Sequence, residues 1–144
     1  MAITQAMTTS FKVGILNGDF DFGTGTSQVF KIALFTSAAN LSAATTAYST
    51  SNEATGTGYT AGGNTLTIST VPTSTGTTAF LDFSDTTWTS STITARGALI
   101  YLANGTTNPS VAVLDFGADK TSTAGDFTVQ FPTSDATSAI IRIA

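Results

Sequence analysis

The sequence predicts an all-β fold: an antiparallel β-sandwich or jelly-roll-like barrel of about seven or eight short strands, with room for one short N-terminal helix. Three observations carry that expectation. Residues 94–102, Thr-Ala-Arg-Gly-Ala-Leu-Ile-Tyr-Leu, run without a turn-making cluster and hold a single charge, Arg96. A strand this apolar on both sides of its pleat belongs in the middle of a sheet, covered on two faces. Strand-like segments also recur at a spacing of roughly ten residues with turn chemistry between them, which suits antiparallel pairing rather than parallel βαβ units. Finally, about a third of the residues are Ser or Thr. Hydroxyls therefore wet the outward faces, and threonine is itself a β-branched strand former.

Taken in order, residues 1–9 form an N-terminal arm, and residues 10–16 read two ways. Phe11, Val13 and Ile15 alternate as on a strand. Alternatively, Ser10 caps a short helix that places Phe11, Ile15 and Leu16 on one face and ends at Gly18. The helix is preferred, although Gly14 interrupts it. Asp19-Phe20-Asp21-Phe22-Gly23 then leads through a Gly/Thr turn into a strand over residues 28–36. Phe30, Ile32 and Leu34 lie on one side of that strand, and Val29, Ala33 and Phe35 flank Lys31 on the other.

Residues 37–63 form a long loop rich in Ser, Thr, Ala and Asn, within which 46–53 has room for a short edge strand or helical turn. Loops of this length in a compact domain are usually functional or contact-making. Leu66 and Ile68 mark a short strand that Val71-Pro72 ends, because proline has no amide hydrogen to give the ladder. A turn over 73–77 precedes a strand over 79–83, which 85–88 extend or bulge. After the central strand come a turn over 104–109, a strand over 110–116, a polar turn over 117–125, a strand over 127–131 and a last strand over 139–143. A single β domain thus spans residues 1–144.

Composition narrows the function. The formal net charge is −4, and the five basic residues, Lys12, Lys31, Arg96, Lys120 and Arg142, are scattered. No cationic stripe exists to displace counterions from a phosphate backbone, so neither nucleic acid nor an anionic membrane is an expected partner. Charged residues make up 10% of the chain, against roughly 25% in an ordinary soluble domain. A surface that sparsely charged suits a protein covered by neighbours. The opening Met-Ala-Ile-Thr-Gln-Ala-Met has neither a basic n-region nor a long apolar h-region, so no signal peptide is expected. No apolar run approaches about 18 residues, so no membrane span is expected either.

The chain contains neither His nor Cys. Ser-His-Asp and Cys-His arrangements are therefore impossible, and zinc sites lose most of their usual ligands. Carboxylates are the remaining catalytic material: Asp82 with Asp85, Asp19 with Asp21, and Asp115 with Asp119. Glycoside hydrolysis needs two carboxyls at a set separation in a cleft, one with a raised pKa, which sequence proximity alone does not supply. The plainer reading is that each aspartate caps a turn or a strand end. Calcium binding at Asp19/Asp21 or Asp115/Asp119 lacks the Asp-x-Asp-x-Asp-Gly loop, and Glu53 is the one glutamate available as a bidentate ligand. Gly56-x-Gly58 and Gly62-Gly63 lack the third glycine and flanking elements of a dinucleotide cradle, and serve as turns. The chain is therefore expected not to be an enzyme and to need no cofactor.

Tyr48, Tyr59, Trp88 and Tyr101 are candidate interface anchors or sugar-stacking platforms. Tyr59 is the better interface candidate, with Tyr48 and the loop glycines Gly58 and Gly62 beside it, whereas Trp88 reads as packing across one end of the core. Arg96, on a mostly apolar strand, is expected to pair across the sheet with Asp82 or Asp115, an arrangement that fixes register more than function.

The segments Asn52-Glu53-Ala54-Thr55-Gly56-Thr57-Gly58-Tyr59-Thr60-Ala61-Gly62-Gly63, Ala95-Arg96-Gly97-Ala98-Leu99-Ile100-Tyr101 and Ala112-Val113-Leu114-Asp115-Phe116-Gly117 together resemble a family of small tailed-bacteriophage virion structural proteins. The ending Ala139-Ile140-Ile141-Arg142-Ile143, the opening Thr9-Ser10-Phe11-Lys12 and the strand Lys31-Ile32-Ala33-Leu34-Phe35-Thr36 fit the same pattern, so the resemblance covers most of the chain. Position 14 departs from it, since the pattern leads to a longer, helix-favouring residue than Gly14. The resemblance implies a component of the phage particle, made in the host cytoplasm. Within that frame the expectation is a decoration (cement) protein on the exterior of the head, a homotrimer whose partner is the major capsid protein. The alternatives are a tail-fibre or receptor-binding module that stacks host glycans on Tyr59 and Trp88, and a carboxylate-based glycan hydrolase.

Overall fold

The computed structural model describes residues 2–144 as two antiparallel sheets and one short helix. In chain order the elements are β1 (Ala6–Met7), α1 (Thr9–Asn17), β2 (Phe30–Phe35), β3 (Asn64–Thr65), β4 (Ile68–Thr75), β5 (Thr78–Phe83), β6 (Thr86–Leu102), β7 (Ser110–Val129) and β8 (Ile141–Ile143). The larger sheet has the order β1-β7-β6-β2-β3, and the smaller one β4-β5-β8. The expected all-β sandwich forms, with two open-edged sheets rather than one closed barrel.

The stretch predicted to be central lies between β2 and β7: Ile100 faces Ile32 on one side and Ala112 on the other. The two-residue period of the strand then decides the layers. Ala98, Ile100 and Leu102 join Phe30, Ile32 and Leu34 in the main core, to which the smaller sheet contributes Leu81, Phe83 and Ile141. Leu99 and Tyr101 point the other way and meet Ala33, Phe35 and Val113. That second face is covered by Ile3, Ala39 and Leu41, so the long loop and the N-terminal residues supply the missing layer.

Of residues 2–9, expected as an arm, Ala6 and Met7 pair with Val113 and Ala112, Ile3 bridges to Leu41, and Thr8 and Thr9 already belong to the start of the helix. Met1, the first residue of that expected arm, lies outside the described residues. The helix preferred over the strand is present, but Thr8 rather than Ser10 caps it, its Oγ1 accepting from the Phe11 amide at 3.3 Å. Gly18, at φ 79°, ends it in the left-handed conformation. Its buried side is Phe11 and Gly14, while Leu16, expected on that face, is 89% exposed.

The strand boundaries differ most in the second half. Residues 85–88 do not prolong the preceding strand; Thr86 begins a 17-residue β6 that contains the central stretch. Residues 117–125, expected as a turn, are part of a 20-residue β7. Hydroxyl pairs across the two strands explain both differences. Thr87 meets Thr128 at 2.8 Å, Ser91 meets Ser122 at 2.8 Å and Thr94 meets Thr121 at 3.0 Å, cross-strand contacts that turn a polar run into a ladder. Four register shifts absorb the Gly, Ser and Asp residues that looked like turn material. Val71-Pro72 likewise does not end β4. Pro72 sits where the register slips between Thr70 and Thr73, in an edge strand where a missing amide costs little. The turn expected over 73–77 contracts to Gly76-Thr77.

Candidate interface on the long loop

Backbone hydrogen bonds fasten the loop of residues 37–63 to the elements beneath it. Thr36 donates to Asn52 (3.0 Å), Ala54 to Leu34 (2.8 Å), Tyr48 to Asn108 (2.9 Å) and Thr9 to Ala43 (2.8 Å). Ala47 bridges to Pro109 and Glu53 to Phe35, so the short edge strand allowed for within 46–53 amounts to two isolated bridges.

At the centre of the fastened loop stands Glu53, 8% exposed and without a cationic partner among the described residues. Its Oε1 accepts from the Tyr59 hydroxyl at 2.6 Å and the Gly62 amide at 2.8 Å, and its Oε2 accepts from the Tyr48 hydroxyl at 2.7 Å. Three charge-assisted hydrogen bonds offset the desolvation of the carboxylate. Tyr59 is bonded twice, since its oxygen also accepts from the Leu34 amide of β2 at 2.9 Å. Tyr101, projecting from β6, donates to the Gly62 carbonyl at 2.7 Å and stacks on Tyr48 with ring centroids 4.5 Å apart. All three tyrosines of the chain thus gather at its one glutamate. Burial, followed by the charge of Glu53, pushes the Tyr101 phenol up to about 12. Burial and the hydrogen bond to Glu53 hold Tyr48 and Tyr59 well above the usual phenol value.

The sequence candidates therefore meet, but with their hydroxyls turned inward. Gly62 is buried within the network, and Gly58 is exposed at a place where a side chain would meet Ser91 of β6 at 3.0 Å. Gly63 fills the tightest place: at φ 75°, a side chain there would meet the Ile32 carbonyl oxygen at 1.8 Å. Trp88 is buried against Phe127 and Tyr59, as expected of a core residue, and offers no open ring for a sugar. Glu53 was not anticipated as the organising residue. The available signal was the presence of one Glu in a loop that also carries two of the three tyrosines.

Arg96 pairs with Asp115 across β6 and β7 at 3.6 Å. The side chains are 38% and 30% exposed, so the pair is a surface one of small worth rather than the buried one anticipated. Asp82 lies in the other sheet, 7% exposed, and its Oδ1 has no hydrogen-bond partner. Burial, and secondarily the nearby charge of Asp85, raise its carboxyl above the ordinary range. Asp85 instead accepts from the Phe131 amide, while Asp21, Asp115 and Asp135 accept from amides two or three residues ahead. The contacts of Asp21, Asp115 and Asp135 are the turn-capping roles read from the sequence, whereas that of Asp85 joins segments 46 positions apart. Among the described residues, no three carboxylates converge as a metal site would need.

Above the fastened network the loop frames an open hollow of about 560 Å³. Asn40, Ser42, Thr45 and Ser51 line its walls, with Phe35 and Leu99 beneath. It holds no ionisable group. Its rotatable hydroxyls and amides can donate or accept, on a backbone already ordered before any partner arrives. No helix among the described residues is long and apolar enough to cross a membrane. In comparisons with protein-family models, curated proteins and solved structures, nothing matches the chain.

Proposed function

We propose that this chain is a structural protein of a tailed-bacteriophage particle, acting as a decoration protein on the exterior of the head. It assembles as a homotrimer and bridges neighbouring major capsid protein subunits. The observation that carries the reading is the pre-ordered loop: 27 residues, 37–63, pinned by the Glu53 network and presenting an uncharged, hydroxyl-rich hollow. A loop ordered in advance meets a partner with little further entropy loss. A contact repeated over many copies stabilises the assembled shell by mass action. The family resemblance of the loop, the central strand and β7 points the same way.

The test is to count and locate the chain in purified particles, and to heat particles that lack it. The expected result is hundreds of copies on the head and release of DNA at a lower temperature in their absence. Shells equally resistant without the chain overturn the decoration role. A count of a few to a few dozen at the tail favours the receptor-binding reading, for which the hydroxyl- and amide-lined hollow, rather than Tyr59 and Trp88, supplies the sugar contacts.

A further inference from the structure

One flank of the sandwich is left open. β1 is the last strand of the larger sheet and β8 the last strand of the smaller one, and each has one backbone edge without a strand partner. A cleft of about 380 Å³ lies at this flank, lined by Gln5, Ala6, Met7 and the β7 residues 112–114 from the larger sheet and by Ile140, Arg142 and Ala144 at the end of the chain that carries β8. A second cleft of about 460 Å³ continues from it toward α1, sharing Met7 and Arg142 and adding Lys12, Ile15, Leu16 and Ile143. Together they form one groove along the seam between the sheets.

Its lining is unlike the rest of the surface. Among the described residues five large apolar side chains are exposed, and two of them, Leu16 and Ile143, line the groove. Two of the five cations, Lys12 and Arg142, stand on the groove, and none of the nine carboxylates lines it. Lys12 has no carboxylate partner among the described residues. Arg142 reaches the Ala136 carbonyl at 3.5 Å, beside Asp135, whose Oδ1 is held by the amides of Thr137 and Ser138. The groove thus carries two cationic side chains and no acidic one on an acidic protein, with Asp135 beside Arg142, and Ala144 also in the lining.

We propose that this groove binds an extended segment of a partner protein, which adds a strand at the β1–β8 seam. The segment carries alternating apolar side chains toward Ile15, Leu16 and Ile143, and an aspartate or glutamate against Lys12 and Arg142. Unpaired strand edges supply main-chain hydrogen bonds to such a peptide, and the side-chain alternation supplies the selectivity. A second copy of this chain joined symmetrically through the same groove is disfavoured, because it brings Lys12 and Arg142 of both copies together. The inference stands on the groove alone and does not require the virion reading.

The experiment is to pan a random-peptide display library against the whole chain, and then to titrate the enriched peptides while following backbone amide resonances. The expected peptides alternate apolar residues with at least one carboxylate, and they shift the amides of Ala6, Met7 and residues 141–143. Leu16→Asp weakens them by about ten-fold or more. That residue is exposed, so the variant folds normally. The double variant Lys12→Glu, Arg142→Glu transfers the preference to peptides with lysine in place of the acid. The proposal is overturned by enrichment of no peptide that depends on Leu16, by binding that maps to another surface, or by self-association of the chain that Leu16→Asp abolishes.

Discussion

Glu53 gathers its three donors from different parts of the loop, and the donors are not equivalent. Tyr48 donates one hydrogen bond, whereas Tyr59 donates to Glu53 and also accepts from the Leu34 amide. Tyr48→Phe therefore removes one bond and costs about 1 kcal/mol. Tyr59→Phe additionally strands an amide beneath the loop and costs roughly 2–3 kcal/mol. Glu53→Ala leaves three donors unpaired at once and costs about 3–5 kcal/mol, less than the separate losses summed because the network acts as a unit. Denaturant midpoints at constant slope measure all three, and equal losses for the two tyrosine variants would refute the doubly bonded role of Tyr59. Asp82 presents the opposite case, a buried carboxyl with one oxygen unpartnered, whose desolvation outweighs the backbone hydrogen bond from Phe83. Its folded pKa lies above the ordinary 3.8, so the folded state keeps a proton that the unfolded chain has released. Stability consequently falls as pH rises from about 3.8 through the folded value, and the penalty persists at neutral pH. Asp82→Asn is expected to be the more stable protein at pH 7 by on the order of 1 kcal/mol, with the gap closing as pH falls toward the ordinary carboxyl range. Melting curves of both proteins across that range check the sign.

At the level of elements, α1 shows how a residue that looks wrong locally becomes necessary. A methyl group on Gly14 would stand 2.4 Å from the Phe20 ring, which packs edge-on against Phe11 with centroids 4.8 Å apart. Alanine gains about 1 kcal/mol of helix propensity there, but overpacking costs typically 1–3 kcal/mol. Gly14→Ala is therefore expected to destabilise by roughly 1 kcal/mol, and to do so less in a Phe20→Leu background, which a double-mutant cycle on chemical unfolding will register. The same contrast between local and tertiary signals governs what could be read in advance. The alternation of Phe30, Ile32 and Leu34 and the apolar run ending at Leu102 were legible because burial itself writes that pattern. The joining of residues 117–125 into β7 was not, because Ser, Thr, Gly and Asp favour turns until partners such as Thr87, Ser91 and Thr94 lie opposite them. Pro72 misled for a related reason, since its place on an outer strand is a fact of topology rather than of local chemistry. In the loop, the tyrosines could be singled out as anchors, but their direction was fixed only by where Glu53 is buried.

For the molecule as a whole, electrostatics contributes little to cohesion. Among the described residues one ion pair is present, 3.6 Å long and partly solvated, and Glu53 is held by neutral donors. Screening therefore has almost nothing to remove. The unfolding midpoint is expected to change by no more than a few tenths of a kcal/mol between dilute buffer and about 0.5 M sodium chloride, as calorimetry across that range will show; a loss above about 1 kcal/mol would mean that an ion-pair network holds the fold. Cohesion rests on the shared aromatic core and on pairing between remote segments. That remoteness bears on how the chain is made. Ala6 pairs with Val113, a separation of 107 positions, and Phe30 pairs with Leu102, 72 positions on. A nascent polypeptide leaving the ribosome has no ladder partner for its first strand until most of the chain has emerged, and the smaller sheet waits longer still for β8. The sandwich therefore cannot close until β8 has emerged, and the early phenylalanines stay without their core until then.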